Sequence, residues 1–319
     1  MTVLVTGGAG FLGSALVRRL VEAGRHVRVL DDSSRGSPTR LRGLDVEIVQ
    51  GDVRDPGTVD RACDGVDSVW HLASVNGTEF FYSKPELVLE VGVKGIMNVI
   101  DATLRHGIGE LFVASSSEVY QTPPRLPTGE DVALSIPDPL NPRYSYAGMK
   151  ILSELLALNY GRDHYRRVVV FRPHNVYGPA MGWEHVIPQL ALRLRELAAA
   201  GTGALRLPIQ GDGSETRAFV YIDDAVEGLM RLDEAGEHLG IYNIGNDVET
   251  RIDELARAIG RCFDREVEVV PGPPAAGGAP RRCPDITKLR ALGYRARTEL
   301  AAGLLRTVRW YDDHALERP

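Results

Sequence analysis

The 319-residue chain has little cysteine, few aromatic residues and no long apolar runs. Cysteine occurs three times, at Cys63, Cys262 and Cys283, and no C-x-x-C pair exists. Neither a disulfide framework nor a zinc ribbon is supported, so reduced thiols in a cytoplasmic protein are expected. No stretch approaches the ~18 uninterrupted apolar residues of a membrane span. The N-terminus is apolar from Met1 to Val5 but lacks a basic leader and breaks at Gly7, so no signal peptide is expected. Positive charge is not in excess: 37 Lys and Arg against 43 Asp and Glu leave a net charge of −6. That balance argues against nucleic acid as the main partner. No H-E-x-x-H occurs, and His174 and His185 lack metal-ligand spacing, so no metal is expected.

What remains is ordinary for a soluble protein, with 44% apolar and 25% charged residues. The length suggests two domains, or one with an appended lobe. Short apolar runs at 2–5, 26–30, 46–50, 68–72, 110–114 and 167–171 read as strands. Between them, 14–22, 87–106 and 146–160 carry apolar residues spaced by three or four and read as helices. Continuous apolar strands alternating with helices predict a parallel sheet covered on both faces, the doubly wound α/β fold. The second half is less regular. Helices are expected over 187–200, 222–232 and 252–262, strands over 205–209 and 240–244, and a Pro/Gly loop over 271–280. His71, inside the fourth strand, reads as a packed core residue. Trp183, Trp310 and Tyr311 read as packing or surface residues.

Residues 6–13 read TGGAGFLG between a strand and a helix. Gly7, Gly10 and Gly13 permit a tight turn and let backbone N–H groups approach a pyrophosphate at the positive end of the helix, with Phe11 and Leu12 in the same turn. Asp31 and Asp32 close the second strand at about the ~20-residue offset of a carboxylate that holds a ribose 2′-hydroxyl. A carboxylate there repels a 2′-phosphate and favours NAD, with Arg35 as the counter-signal for NADP. Asp52 and Val53 after the third strand, and Leu72 and Ala73 after the fourth, sit where an adenine and its ribose would lie.

Tyr146 and Lys150 form Y-x-x-x-K, which places both on one helix face. The ammonium is expected to favour the phenolate, and moving a tyrosine from a pKa of ~10 to ~7 takes about 4 kcal/mol. A cationic nicotinamide could supply part of it. Ser115, Ser116 and Ser117 follow a strand, where a hydroxyl could bridge a substrate and Tyr146. Cys283, beside Arg281 and Arg282, is either a mildly activated thiol or, more simply, an inert one.

Taken together, TGGAGFLG, GDVRD, HLAS, SSSEVY, YSYAGMK, FRPHNVYGP, GDGSETRAFVYIDD and RRCPDITK resemble the extended short-chain dehydrogenase/reductases that act on nucleotide sugars. The resemblance covers nearly the whole chain. It implies a Rossmann domain over 1–178, a smaller α/β substrate lobe over 179–319, and a return of 215–245 to the first domain. It also implies NAD as cofactor, a nucleotide-sugar substrate, and a homodimer formed through the helices over 87–106 and 146–160. By the same resemblance Ser116 is the catalytic hydroxyl and Tyr146 the base, while Lys150 holds the nicotinamide ribose and Lys84 touches the cofactor. Asn175 and Arg217 contact the substrate diphosphate, and the GWEHVIPQ segment with Val186 contacts the nucleotide base. The chain departs from the family pattern at Gly92, at Ala180, and at Pro274, Ala275 and Ala276, where Arg281 or Arg282 could stand in for a missing arginine.

Members of the family oxidise a sugar hydroxyl, usually at C4, and differ in the fate of the resulting ketone. A 4-epimerase returns hydride to the other face of the ketone and needs no further acid or base. A 4,6-dehydratase carries Asp-Glu after the catalytic hydroxyl, and this chain has Ser117 and Glu118. A UDP-glucuronate decarboxylase carries Ser-Glu there and an arginine in a late R-x-P-D-I segment, which Arg282 to Ile286 match. The leading expectation is a C4 epimerase. Decarboxylase, dehydratase and, from another class, a silent NAD-binding regulatory protein are the alternatives.

Overall fold

The computed structural model describes residues 1–273 and 280–317. The chain opens with β1 (Thr2–Thr6), α1 (Phe11–Glu22), β2 (His26–Asp31), β3 (Val46–Gln50), α2 (Pro56–Cys63) and β4 (Ser68–His71). It continues with α3 (Thr78–Ser83), α4 (Pro85–Leu89), a π-helical turn over Glu90–Lys94, α5 (Gly95–Arg105), β5 (Glu110–Ala114), α6 (Ser145–His164) and β6 (Arg167–Pro173). Seven parallel strands form the main sheet in the order β11-β6-β5-β4-β1-β2-β3, where β11 is Gly240–Ile244.

Two apolar layers sandwich this sheet, because alternate strand residues face opposite sides. Leu111 and Val113 of β5 join one cluster with Val99 and Ile100 of α5 and Met149 and Ala157 of α6. Phe112 and Ala114 join the other, with Leu16, Val17 and Leu20 of α1. The Trp70 and Phe112 rings stack at 4.1 Å there.

The later chain contributes β7 (Val176–Tyr177), α7 (Val186–Ala200), β8 (Leu205–Pro208), β9 (Thr216–Ala218), β10 (Val220–Tyr221) and α8 (Ile222–Ala235). After β11 come β12 (Glu249–Arg251), α9 (Ile252–Arg261), β13 (Val267–Val270), β14 (Arg281–Arg282), α10 (Thr287–Ala291) and α11 (Leu300–Asp313). These strands form three small sheets, β10-β7, β12-β9-β14 and β13-β8. Among the described residues no helix is long and apolar enough to cross a membrane.

Several element boundaries differ from the sequence reading, among them α8, which runs to Ala235, and β6, which runs to Pro173. Helix α1 starts at Phe11 rather than residue 14, because Gly10 is extended and the helix opens directly on the glycine turn. The helix expected over 87–106 is divided by the π turn, inside which Gly92 packs against α6; a Cβ there would run into Met149 Sδ. Helix α6 continues four residues past 160, to His164. Positions 274–276 and most of the Pro/Gly loop lie outside the described residues.

Candidate active site

A cleft of about 650 Å³ runs across the C-terminal ends of the strands, where open α/β sheets bind ligands. Its floor is the glycine turn. Gly7 has φ +71°, and a Cβ on it would lie 2.8 Å from the Ala73 backbone nitrogen. A Cβ on Gly13 would run into the Gly7 carbonyl oxygen. Only hydrogen fits at either position, so the backbone can approach a phosphate pair at the start of α1. Asp31, buried at the end of β2, accepts the Ala9 N–H at 2.9 Å and the Ser33 N–H at 2.8 Å. It braces the turn and also lines the cleft with Asp32, Asp52, Val53, Leu72 and Ala73. The Asp52 carboxyl is held below its usual range by a hydrogen bond from the Arg54 side chain. Arg35 donates to the Asn76 carbonyl at 2.8 Å and lies 4.3 Å over the Phe80 ring. These residues fit a dinucleotide.

Further along, α6 presents Tyr146 and Lys150 to the same cleft. The Tyr146 hydroxyl lies near the Ser116 and Ser74 side chains, which favour its ionised form, and Phe81 stacks on its ring at 4.9 Å. Lys150 donates to the Ala114 carbonyl at 2.7 Å, and its Nζ is 5.7 Å from the Tyr146 ring centre. The expected depression of the phenol by this lysine is not what the fold produces. Burial pushes the Tyr146 phenol up to about 12 and the Lys150 ammonium down to about 8. Desolvation disfavours both charged forms and is the largest influence on each.

Glu118 faces Tyr146 from the 3-10 turn after β5, with Ser117 beside it. Its carboxylate is bonded by the Arg282 guanidinium from β14, and Arg143 comes to 4.0 Å. Burial alone would raise the Glu118 carboxyl, but Arg282, Arg143 and Arg217 together hold it below its usual range.

Not every expected residue reaches the cleft. Asn175 does, with φ +40° and its amide donating to the Ala218 carbonyl at 3.1 Å. Arg217 lies beside Arg282 but outside the lining, donating to the Thr216 carbonyl at 2.7 Å. Lys84 is exposed, 6.0 Å from the Phe80 ring centre, and does not line the cleft; neither does exposed Val186, whose neighbours Gly182 and His185 do. Arg281 turns away and pairs with Glu249 at 2.9 Å, so Arg282 is the arginine that faces the cleft.

Cys283 is buried, and burial with the Glu249 and Asp247 carboxylates pushes its thiol up to about 11, which makes it inert. His71 is buried against Thr6 at 2.8 Å. The Trp183, Trp310 and Tyr311 rings pack together, with the Tyr311 hydroxyl donating to the Met181 carbonyl. No cluster of three or more potential metal ligands occurs among the described residues.

Sequence reasoning missed Ser74, Phe81 and Arg143 at the base. Ser74 closes the HLAS segment, so a hydroxyl after the fourth strand was a usable signal. Phe81 and Arg143 carried none.

The sequence model described as "NAD dependent epimerase/dehydratase family" matches residues 3–245. The chain belongs to that family. Its members are NAD-dependent enzymes, among them epimerases, dehydratases and decarboxylases. A dTDP-glucose 4,6-dehydratase of Streptomyces antibioticus is 33% identical, over 98% of this chain and 93% of that one. UDP-glucuronic acid decarboxylase 6 of Arabidopsis thaliana is also 33% identical, over 95% and 87%. The structure of a UDP-glucose 4-epimerase from Thermus thermophilus, in complex with NAD, superposes with a TM-score of 0.84 at 29% identity, covering 98% of this chain and 99% of that one. These three relatives name three different reactions.

Proposed function

We propose that the protein is a nucleotide-sugar C4 epimerase. NAD, when bound, accepts and returns a hydride. Tyr146 takes the proton of the sugar hydroxyl, Ser116 and Ser74 orient the phenol, and Lys150 sets the charge behind it. A base whose proton affinity lies above neutral pH is strong but must first lose its own proton. The positive charge of an oxidised nicotinamide and of Lys150 favours that loss. Asn175 and Arg282 give the far end of the cleft donors of the kind a diphosphate needs, with Arg217 adding positive charge beside Arg282.

The ionised state of Glu118 carries the choice of reaction. A dehydratase must protonate a leaving hydroxyl, yet Glu118 is held as a carboxylate by three arginines and its neighbour is Ser117, which is no acid. An epimerase requires nothing of this position beyond shape and charge. One observation favours a second reading: the Glu118–Arg282 contact brings together the two segments, Ser-Glu and R-x-P-D-I, that resemble a UDP-glucuronate decarboxylase.

The test is mass spectrometry with chromatographic separation after incubation with NAD and a panel of nucleotide sugars, UDP-glucuronate included. A new isomer of unchanged mass is expected. Loss of carbon dioxide would replace this reading with the second, and loss of water would replace it with a dehydratase.

A further inference from the structure

Behind the cleft lies a buried charge pair that the proposed chemistry does not use directly. Tyr146, Lys150 and Glu154 succeed one another at intervals of four on α6, so they share a face. Glu154 is 2% exposed. It accepts two bonds from Arg172, itself 2% exposed near the C-terminal end of β6, at 2.9 Å from Nε and 2.6 Å from Nη2. The Ser115 hydroxyl donates to the same carboxylate. Burying two charges costs several kcal/mol per ion, and such a pair is weak evidence for stability as such. Its value has to be sought in the groups it holds in place.

Those groups lie on both sides of the cleft. Through Ser115 the pair holds the strand end beside Ser116. Through Arg172 Nη1, 2.7 Å from the Tyr120 hydroxyl, it reaches the turn that carries Glu118. The Tyr120 hydroxyl donates to Asn243 Oδ1 at 2.8 Å, and the Asn243 amide donates to the Asp285 carbonyl at 3.0 Å, three residues from Arg282. One continuous network therefore joins the helix of the base to both partners of the Glu118–Arg282 contact.

Its second effect falls on Lys150. The groups facing this ammonium are Tyr146 on its own helix, the Ala114 carbonyl on β5, His71 on β4 and Glu154. His71 is held neutral by burial, with a pKa pushed down to about 3. Tyr146 is protonated over the same range. Among the described residues, Glu154 is the carboxylate whose charge acts on Lys150.

We propose that Glu154, clamped by Arg172, is a positioning residue that keeps Lys150 a cation against the Ala114 carbonyl while tying the Glu118 and Arg282 segments to the same helix. This rests on the reading in which Lys150 and Tyr146 carry the hydride chemistry. Without the carboxylate, burial acts on Lys150 unopposed, and its pKa falls below the present value of about 8. The enzyme would then lose its cation within the neutral range.

The chain's lysines are Lys84, Lys94, Lys150 and Lys288, so the Nζ signals of protein labelled with ¹⁵N-lysine can be assigned, with Lys150→Met identifying the buried one. In Glu154→Gln the Lys150 midpoint is expected to fall by about one pH unit or more, the size of effect an adjacent opposite charge exerts. The alkaline limb of turnover should fall with it, and Glu154→Asp should restore both. Glu154→Gln strands a buried arginine and could fail to fold. Glu154→Gln with Arg172→Gln removes both charges, and since losing a cation can only raise the Lys150 midpoint, a fall there is the carboxylate's. An unmoved midpoint in a folded Glu154→Gln protein would overturn the inference; if that variant does not fold, the double variant is compared with Arg172→Gln alone, and a midpoint no lower in the double variant would overturn it. If the unaltered protein converts no nucleotide sugar, the functional reading fails while the Lys150 titration still decides this one.

Discussion

Glu118 and Arg282 are 164 residues apart in sequence, yet their side chains are in direct contact inside the cleft. The contact joins the turn after β5 to a short strand of the small β12-β9-β14 sheet. It holds the Glu118 carboxyl, whose charge acts on Tyr146, below its usual range and so as an anion.

Replacing that carboxylate separates the candidate reactions. Glu118→Gln keeps the shape and removes the charge. For an epimerase, kcat is expected to stay within about tenfold. For a decarboxylase or dehydratase, loss of a positioned acid or base costs on the order of 10²–10⁴-fold. Steady-state kinetics on the substrate found by mass spectrometry reads the difference.

The base itself is tested by Tyr146→Phe. The variant keeps the ring against Phe81 and loses only the hydroxyl beside Ser116 and Ser74. Turnover should fall on the order of 10²–10⁴-fold, with NAD affinity little changed by calorimetry. Retention of more than a tenth of the activity would remove Tyr146 from its assigned role.

The glycine turn makes a prediction about binding. Gly7→Ala forces a residue with a Cβ into φ +71° and against the Ala73 nitrogen. The backbone conformation alone costs roughly 1–2 kcal/mol. A lower denaturation midpoint and weaker NAD binding should appear together. Unchanged affinity in a folded variant would show that the turn does not bear the cofactor.

Stability should depend on pH through two buried imidazoles. Burial holds His71 at about 3 and His174 at about 4, against an unfolded value of about 6.5. Both folded values are depressed, so the unfolded chain binds these protons first. Stability from this source is fully present above pH ~6.5 and is lost as pH falls toward the folded values. At pH 5 the loss is about 2 kcal/mol for each imidazole. Urea denaturation at pH 7 and pH 5 measures it, and His71→Gln should flatten the slope.

The alternation of strands and helices, the glycine turn and the shared face of Tyr146 and Lys150 were legible in the sequence, because each depends on residues close together along the chain. Strand and helix periods, a turn that tolerates no Cβ and an i, i+4 spacing are local properties, and the cofactor class derives from them. Gly92 was visible only as a departure; the structure supplies its reason, a close crossing against Met149.

The tertiary structure alone decided which distant residues meet at the base and what burial does to their charges. Arg172 and Glu154 carry no signal in the sequence, and they become partners only where the sheet and α6 close on them. The expected lowering of the Tyr146 phenol failed for the same reason. Spacing reports which groups are neighbours, whereas desolvation depends on every element packed around them.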